Sequence, residues 1–153
     1  MLGLANGLFA RGDIDAAADI YIDAMRLDPA DGFNIRYRLA KAFLATGYLV
    51  RLRRLVASYG QDHSAAWRWT HALTEFKLDR DSDDANTALE EALDTNCLIG
   101  PFLLRRLDVE VPCLVNCLAA ELGEAVAYVR EFAEHWEARP EAKLWVADRL
   151  GLG

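Results

Sequence analysis

Apolar residues recur along this chain at helical spacing, in segments separated by Gly, Asp or Pro. Leu4, Ala5 and Leu8 share one face of a short first helix, which Gly12 ends by permitting a positive φ. Asp13 is placed to cap the next helix, Ala17, Tyr21 and Ala24 mark its inner face, and Pro29 stops it. Ile35, Leu39, Ala40, Phe43 and Leu44 predict a third helix over Asp31 to Thr46, closed at Gly47. Its partner runs from Tyr48 to Tyr59, with Leu49, Leu52, Leu55, Val56 and Tyr59 on one face and Arg51, Arg53 and Arg54 outside it.

The alternation of helix and turn continues. Ser64 or Asp62 caps a helix carrying Trp67, Trp69, Ala72, Leu73 and Phe76, and Arg80-Asp-Ser-Asp-Asp turns the chain. Ser82 or Asp83 caps the return helix, whose Ala85, Ala88, Leu89, Ala92 and Leu93 face inward as far as Asn96. Later, Ala125, Val126, Val129, Phe132, Ala133 and Trp136 make an amphipathic helix, Arg139-Pro140 breaks it, and Glu141 to Leu150 forms a last helix with Leu144, Trp145 and Leu150 turned inward. The expected class is all-α.

The stretch Gly12 to Pro29, GDIDAAADIYIDAMRLDP, resembles the second half of a tetratricopeptide repeat. Small residues at Ala5, Ala17 and Ala24 let two antiparallel helices approach closely, while Leu8 and Tyr21 fill the space between hairpins. Equivalent positions at Ala24, Tyr59 and Ala92 are 35 and 33 residues apart, near the family period of about 34. Leu52 and Tyr59 stand where that family usually has alanine. The resemblance implies a right-handed α-α superhelix of about three helical hairpins, with repeats 1–31, 32–63 and 64–97 and a C-terminal cap over 98–153, all in a single domain. From Asn96, the run Phe102-Leu-Leu, Val111-Pro112 and Gly123-Glu-Ala-Val-Ala-Tyr128 to His135-Trp136 resembles the segment after the repeats in the suppressor of tumorigenicity seven family and related bacterial repeat proteins.

At 153 residues and 53% hydrophobic, the chain is large enough to bury a core. No apolar run reaches the length of a membrane span, and the opening Met1-Leu-Gly-Leu-Ala lacks the basic start of a signal peptide. The odd count of cysteines, Cys97, Cys113 and Cys117, does not form a disulfide framework. A soluble, cytoplasmic protein without membrane contact is expected.

Charge is banded. Residues 1–32 carry six acids and two bases, 33–59 six bases and no acid, 60–97 nine acids and three bases, and 98–153 nine acids and six bases, for a net −7. In one account of the basic band, Arg36, Arg38, Lys41, Arg51, Arg53 and Arg54 pair with acidic neighbours. In another, part of it faces a ligand.

His63, His71 and His135 are dispersed, and no HExxH, Walker, Rossmann or nucleophile-elbow motif is present, so neither enzymatic activity nor a cofactor is expected. Cys113 and Cys117, at i and i+4, with Cys97 or His135, are the one arrangement with the ligand types of a zinc site, but buried free cysteine is the commoner use and no metal site is expected. The resemblance implies a scaffold binding a protein or peptide partner along a concave groove formed by the first helix of each hairpin. Its candidate lining is Asn6, Phe9, Asn34, Tyr37, Arg38, Lys41, Trp67, Thr70, His71 and Thr74, a mixture suited to an extended peptide with an acidic or aromatic element; the alternative for Trp67 and Tyr37 is packing between repeats. The carboxylate clamp by which such repeats hold chaperone tails uses Lys and Asn, then Asn, then Lys and Arg. The matching positions here are Leu2 and Asn6, Arg38, and Trp67 and His71, so only Asn6 agrees and no chaperone-tail binding is expected. The alternatives are nucleic-acid binding through the basic band, opposed by the overall acidity, and a structural, self-associating module such as a homodimer.

Overall fold

Gly12 sits at φ 85° between the first two helices, a conformation that ends one helix and lets the chain reverse. A computed structural model describes residues 1–107 and 118–153, and among these every regular element is a helix. Helices pack largely against chain neighbours within each part of the chain, consistent with an all-α helical repeat. Two compact units are formed, Met1–Ser58 and Tyr59–Gly153, with the boundary between the second and third hairpins.

The first unit contains α1 (Leu2–Ala10), α2 (Ile14–Leu27), α3 (Ile35–Thr46) and α4 (Leu49–Ser58). α1 packs on α2, α2 on α3 and α3 on α4. Fully buried Ala5 and Ala17 allow the first pair to approach closely, and Tyr21, Leu39, Phe43, Leu52 and Val56 fill the core beside them. Three details differ from expectation. Leu4 is 60% exposed, because on so short a helix Ala5 alone faces fully inward. Asp13 occupies the N-cap of α2, but its side chain makes no capping bond. The third helix starts at Ile35 and not at Asp31, because Asp31 and Asn34 both take positive φ, 51° and 54°.

The second unit contains α5 (Ala65–Asp79), α6 (Asp83–Thr95), α7 (Ile99–Leu104), α8 (Ala119–Glu137) and α9 (Pro140–Arg149). α5 pairs with α6, α8 packs on α5 and α7, and α9 packs on α5, α7 and α8. Ser64 and Ser82 cap α5 and α6, each hydroxyl accepting from a backbone N–H three residues on. Buried Asn96 closes α6. Its side-chain NH2 donates to Glu121 O at 2.9 Å and Glu124 Oε2 at 3.1 Å, its Oδ1 accepts from Leu98 N, and its backbone oxygen accepts from Trp69 Nε1 at 3.1 Å. Tryptophan contacts tie α8 and α9 to α5: Trp136 lies edge-on to Trp69 at 5.9 Å, and Trp145 stacks on Phe76 at 4.7 Å. Gly100 suits the close packing of α7, since a Cβ there would lie 2.8 Å from Leu150 Cδ1 and 3.4 Å from Trp69 of α5 and Val146 of α9.

Phe102-Leu-Leu falls in α7, a short helix that the apolar pattern does not mark. Leu144, expected inside, is 69% exposed, and Val126 is 40% exposed. The inward face of α8 is carried by Ala125, Tyr128, Phe132, His135 and Trp136, and that of α9 by Ala142, Trp145, Val146 and Ala147. Cys113, Cys117 and the Val111-Pro112 link lie outside the described residues.

Candidate functional site

The first unit brings four of the candidate groove residues together on α1 and α3. Asn6 and Arg38, both exposed, meet through a hydrogen bond from Arg38 Nη1 to Asn6 Oδ1 at 2.9 Å. The same Asn6 oxygen accepts from the Tyr21 hydroxyl at 2.7 Å. One turn along each helix, the Lys41 ammonium lies 6.0 Å from the centroid of the Phe9 ring, at the outer range of a cation–π contact. The result is a small surface with two cationic groups, an amide and an aromatic ring. Arg38 is hydrogen-bonded here to a neutral amide, so this contact leaves its charge uncompensated.

Asn34 and Tyr37 belong to a different cluster at the start of α3. Asp31 is 2% exposed, and its carboxylate accepts from the backbone N–H groups of Ile35 and Arg36 and from Arg36 Nη1 at 2.6 Å. Arg36 Nη1 also donates to Asn34 Oδ1 at 3.1 Å, and the guanidinium lies 4.7 Å from the centre of the Tyr37 ring. This cluster anchors the helix N-terminus and neutralises Arg36.

In the second unit, Thr70 and Thr74 correct the groove expectation and Trp67 follows its packing alternative, because they are 0%, 0% and 2% exposed and belong to the core. Trp67 meets Tyr59 edge-on at 6.1 Å. Thr74 Oγ1 donates to the backbone oxygen of Thr70, and Thr70 Oγ1 to that of Ala66, each at 2.7 Å. Helical spacing places all three beside His71, but α5 is covered by α6, α8 and α9 and so is buried over most of its circumference. His71 itself is half-buried, with Nε2 3.4 Å from Oε1 of the buried Glu75.

Two arginines of α4, Arg51 and Arg54, share a cleft with acids of α2. A cleft of about 810 Å³ is lined by Asp19, Ile22, Asp23 and Arg26 of α2, Phe43 of α3, and Arg51 and Arg54 of α4. Arg26 pairs with Asp23 at 3.1 Å, and the Arg51 guanidinium lies 5.1 Å from the Tyr48 ring. A hydrogen bond with Asp15 raises the Tyr48 phenol above its ordinary pKa, helped by the charge of the same carboxylate. Tyr21 and Asp31 are the contributors that spacing does not mark. The helical pattern assigns Tyr21 to packing, and only its hydroxyl, a polar tip on an apolar body, hints at a second contact.

Comparison with protein-family models, with curated proteins and with solved structures finds no match to this chain.

Proposed function

We propose that this chain is a cytoplasmic interaction module, a tetratricopeptide-like scaffold that binds an acidic, extended segment of a protein partner on the α1–α3 face. The observation that carries it is the exposed guanidinium of Arg38, hydrogen-bonded to a neutral amide, beside Lys41 and Phe9. An acidic side chain of the partner supplies Arg38 with a counter-charge, and the Phe9 ring offers apolar contact to the same segment. A nucleic-acid role is less well supported, since Arg36 is bonded to buried Asp31, and Arg51 and Arg54 share their cleft with Asp19 and Asp23. At least three of the six cations of the basic band therefore already stand beside carboxylates.

Calorimetric titration with an acetylated hexaglutamate peptide tests this. Lys41→Glu is expected to weaken binding by about 1 to 3 kcal/mol with the circular dichroism unchanged. Equal affinity in the wild type and the variant would remove this face as the contact.

A further inference from the structure

We propose that Tyr21 is the positioning residue of the α1–α3 face, its hydroxyl joining Arg38 to lock the Asn6 amide with its NH2 group turned outward. This rests on the binding role proposed above for that face.

The chemistry of the partners fixes the orientation of the amide. A guanidinium has only donors, so the Asn6 atom 2.9 Å from Arg38 Nη1 has to be the carbonyl oxygen. The Tyr21 hydroxyl donates to that same oxygen at 2.7 Å, so both lone pairs are engaged. The NH2 group is on the other branch of the same planar amide and points away from both donors. A flipped amide would set N–H groups against a guanidinium and lose both bonds.

Tyr21 and Asn6 differ in what they can move. Tyr21 is 2% exposed, and its ring is held by the core, whereas Asn6 is exposed. The hydroxyl is therefore a fixed point on which an otherwise mobile surface amide is oriented. Burial raises the Tyr21 phenol above its ordinary 10.0, outweighing the opposing effect of Arg38, so the hydroxyl keeps its proton and remains a donor throughout the neutral range.

The consequence is specificity. The Asn6 NH2 and the remaining N–H groups of Arg38 are donors, and the acceptor between them, the Asn6 oxygen, is turned inward and occupied. An acidic peptide, with side-chain carboxylates and backbone carbonyls, satisfies them. A basic peptide meets like charge from Arg38 and finds the Asn6 oxygen already engaged.

The test is a double-mutant cycle with acetylated hexaglutamate as the probe. Tyr21→Phe keeps the ring and removes the hydroxyl, and is expected to weaken binding about three- to tenfold. Asn6→Ala should do the same, and the double variant Tyr21→Phe/Asn6→Ala should bind no more weakly than Asn6→Ala alone. A merely structural Tyr21 would give multiplicative losses, and either that result or unchanged affinity in Tyr21→Phe would overturn the proposal. A second readout needs no ligand: the Asn6 side-chain NH2 resonances should move toward those of a free, exposed amide in Tyr21→Phe. Resonances that stay in place would overturn the positioning role whatever the peptide does. Shifted resonances in a protein whose wild type ignores the peptide would uphold the positioning role and refute the binding role of the face.

Discussion

Asp31 shows how much can depend on a single side chain. Its carboxylate is fully buried and receives the first N–H groups of α3 together with the Arg36 guanidinium. Asp31→Ala strands these donors, and is expected to cost about 1 to 3 kcal/mol in urea denaturation. A cost within experimental error would mean that water replaces the carboxylate freely. In the sequence this residue looks like the first residue of a helix; its positive φ and inward turn depend on the packing of α2 against α3. The phenols make a second case. Burial raises Tyr21 and Tyr128 above the ordinary value of 10.0, with the hydrogen bonds that link Tyr128 to Trp136 and Thr70 partly opposing it there. Both therefore add stability that is fully present below that value and is lost as pH rises through their folded-state values. Lys77, lowered by burial and by nearby Arg139, acts in the opposite sense, since its penalty in the folded state eases as it deprotonates. Urea midpoints measured between about pH 9 and 11 should fall, and fall less steeply in Tyr128→Phe. A parallel decline in that variant would count against Tyr128 as a source.

At the scale of the helix, propensity and punctuation are legible in the sequence and cap chemistry only partly so. Ser64 and Ser82 make the capping bonds that their positions foretell. Asp13 sits at an equivalent N-cap without making one. Ser82→Ala is thus expected to cost about 1 kcal/mol, and Asp13→Ala much less. Equal losses in thermal unfolding would show that the α2 cap forms in solution. Inward faces are legible where a helix buries one stripe, as in α2 and α6, where spacing marks the buried residues Ala17, Tyr21 and Ala24, and Ala85, Ala88, Leu89 and Ala92. They are less so for α5, which is covered by three other helices. There Trp67, Thr70 and Thr74 read as groove residues, because a helix buried on most sides has no single stripe to betray its exposed edge.

For the molecule as a whole, charge order along the chain is more informative than its sum. The basic band of residues 33–59 is divided by the fold: Arg36 goes to Asp31, Arg51 and Arg54 line the cleft with Asp19 and Asp23, and Arg38 and Lys41 stand with Asn6 and Phe9 on α1 and α3. Sequence spacing is sufficient to put Arg38 and Lys41 on one face, since residues three apart are neighbours on a helix. It does not reveal that Tyr21 orients Asn6, a contact between positions 15 residues apart that exists only once α1 packs on α2.

A charge swap tests the acidic-peptide assignment most directly. Wild-type protein and the double variant Arg38→Glu/Lys41→Glu are each titrated with acetylated hexaglutamate and acetylated hexalysine at low salt, with circular dichroism as the fold control. The wild type should bind hexaglutamate in preference to hexalysine, and the variant should reverse that preference, both contrasts fading as salt screens the contacts. A wild type that binds neither peptide, or a folded variant that keeps the wild-type preference, would contradict recognition of an acidic segment by this face.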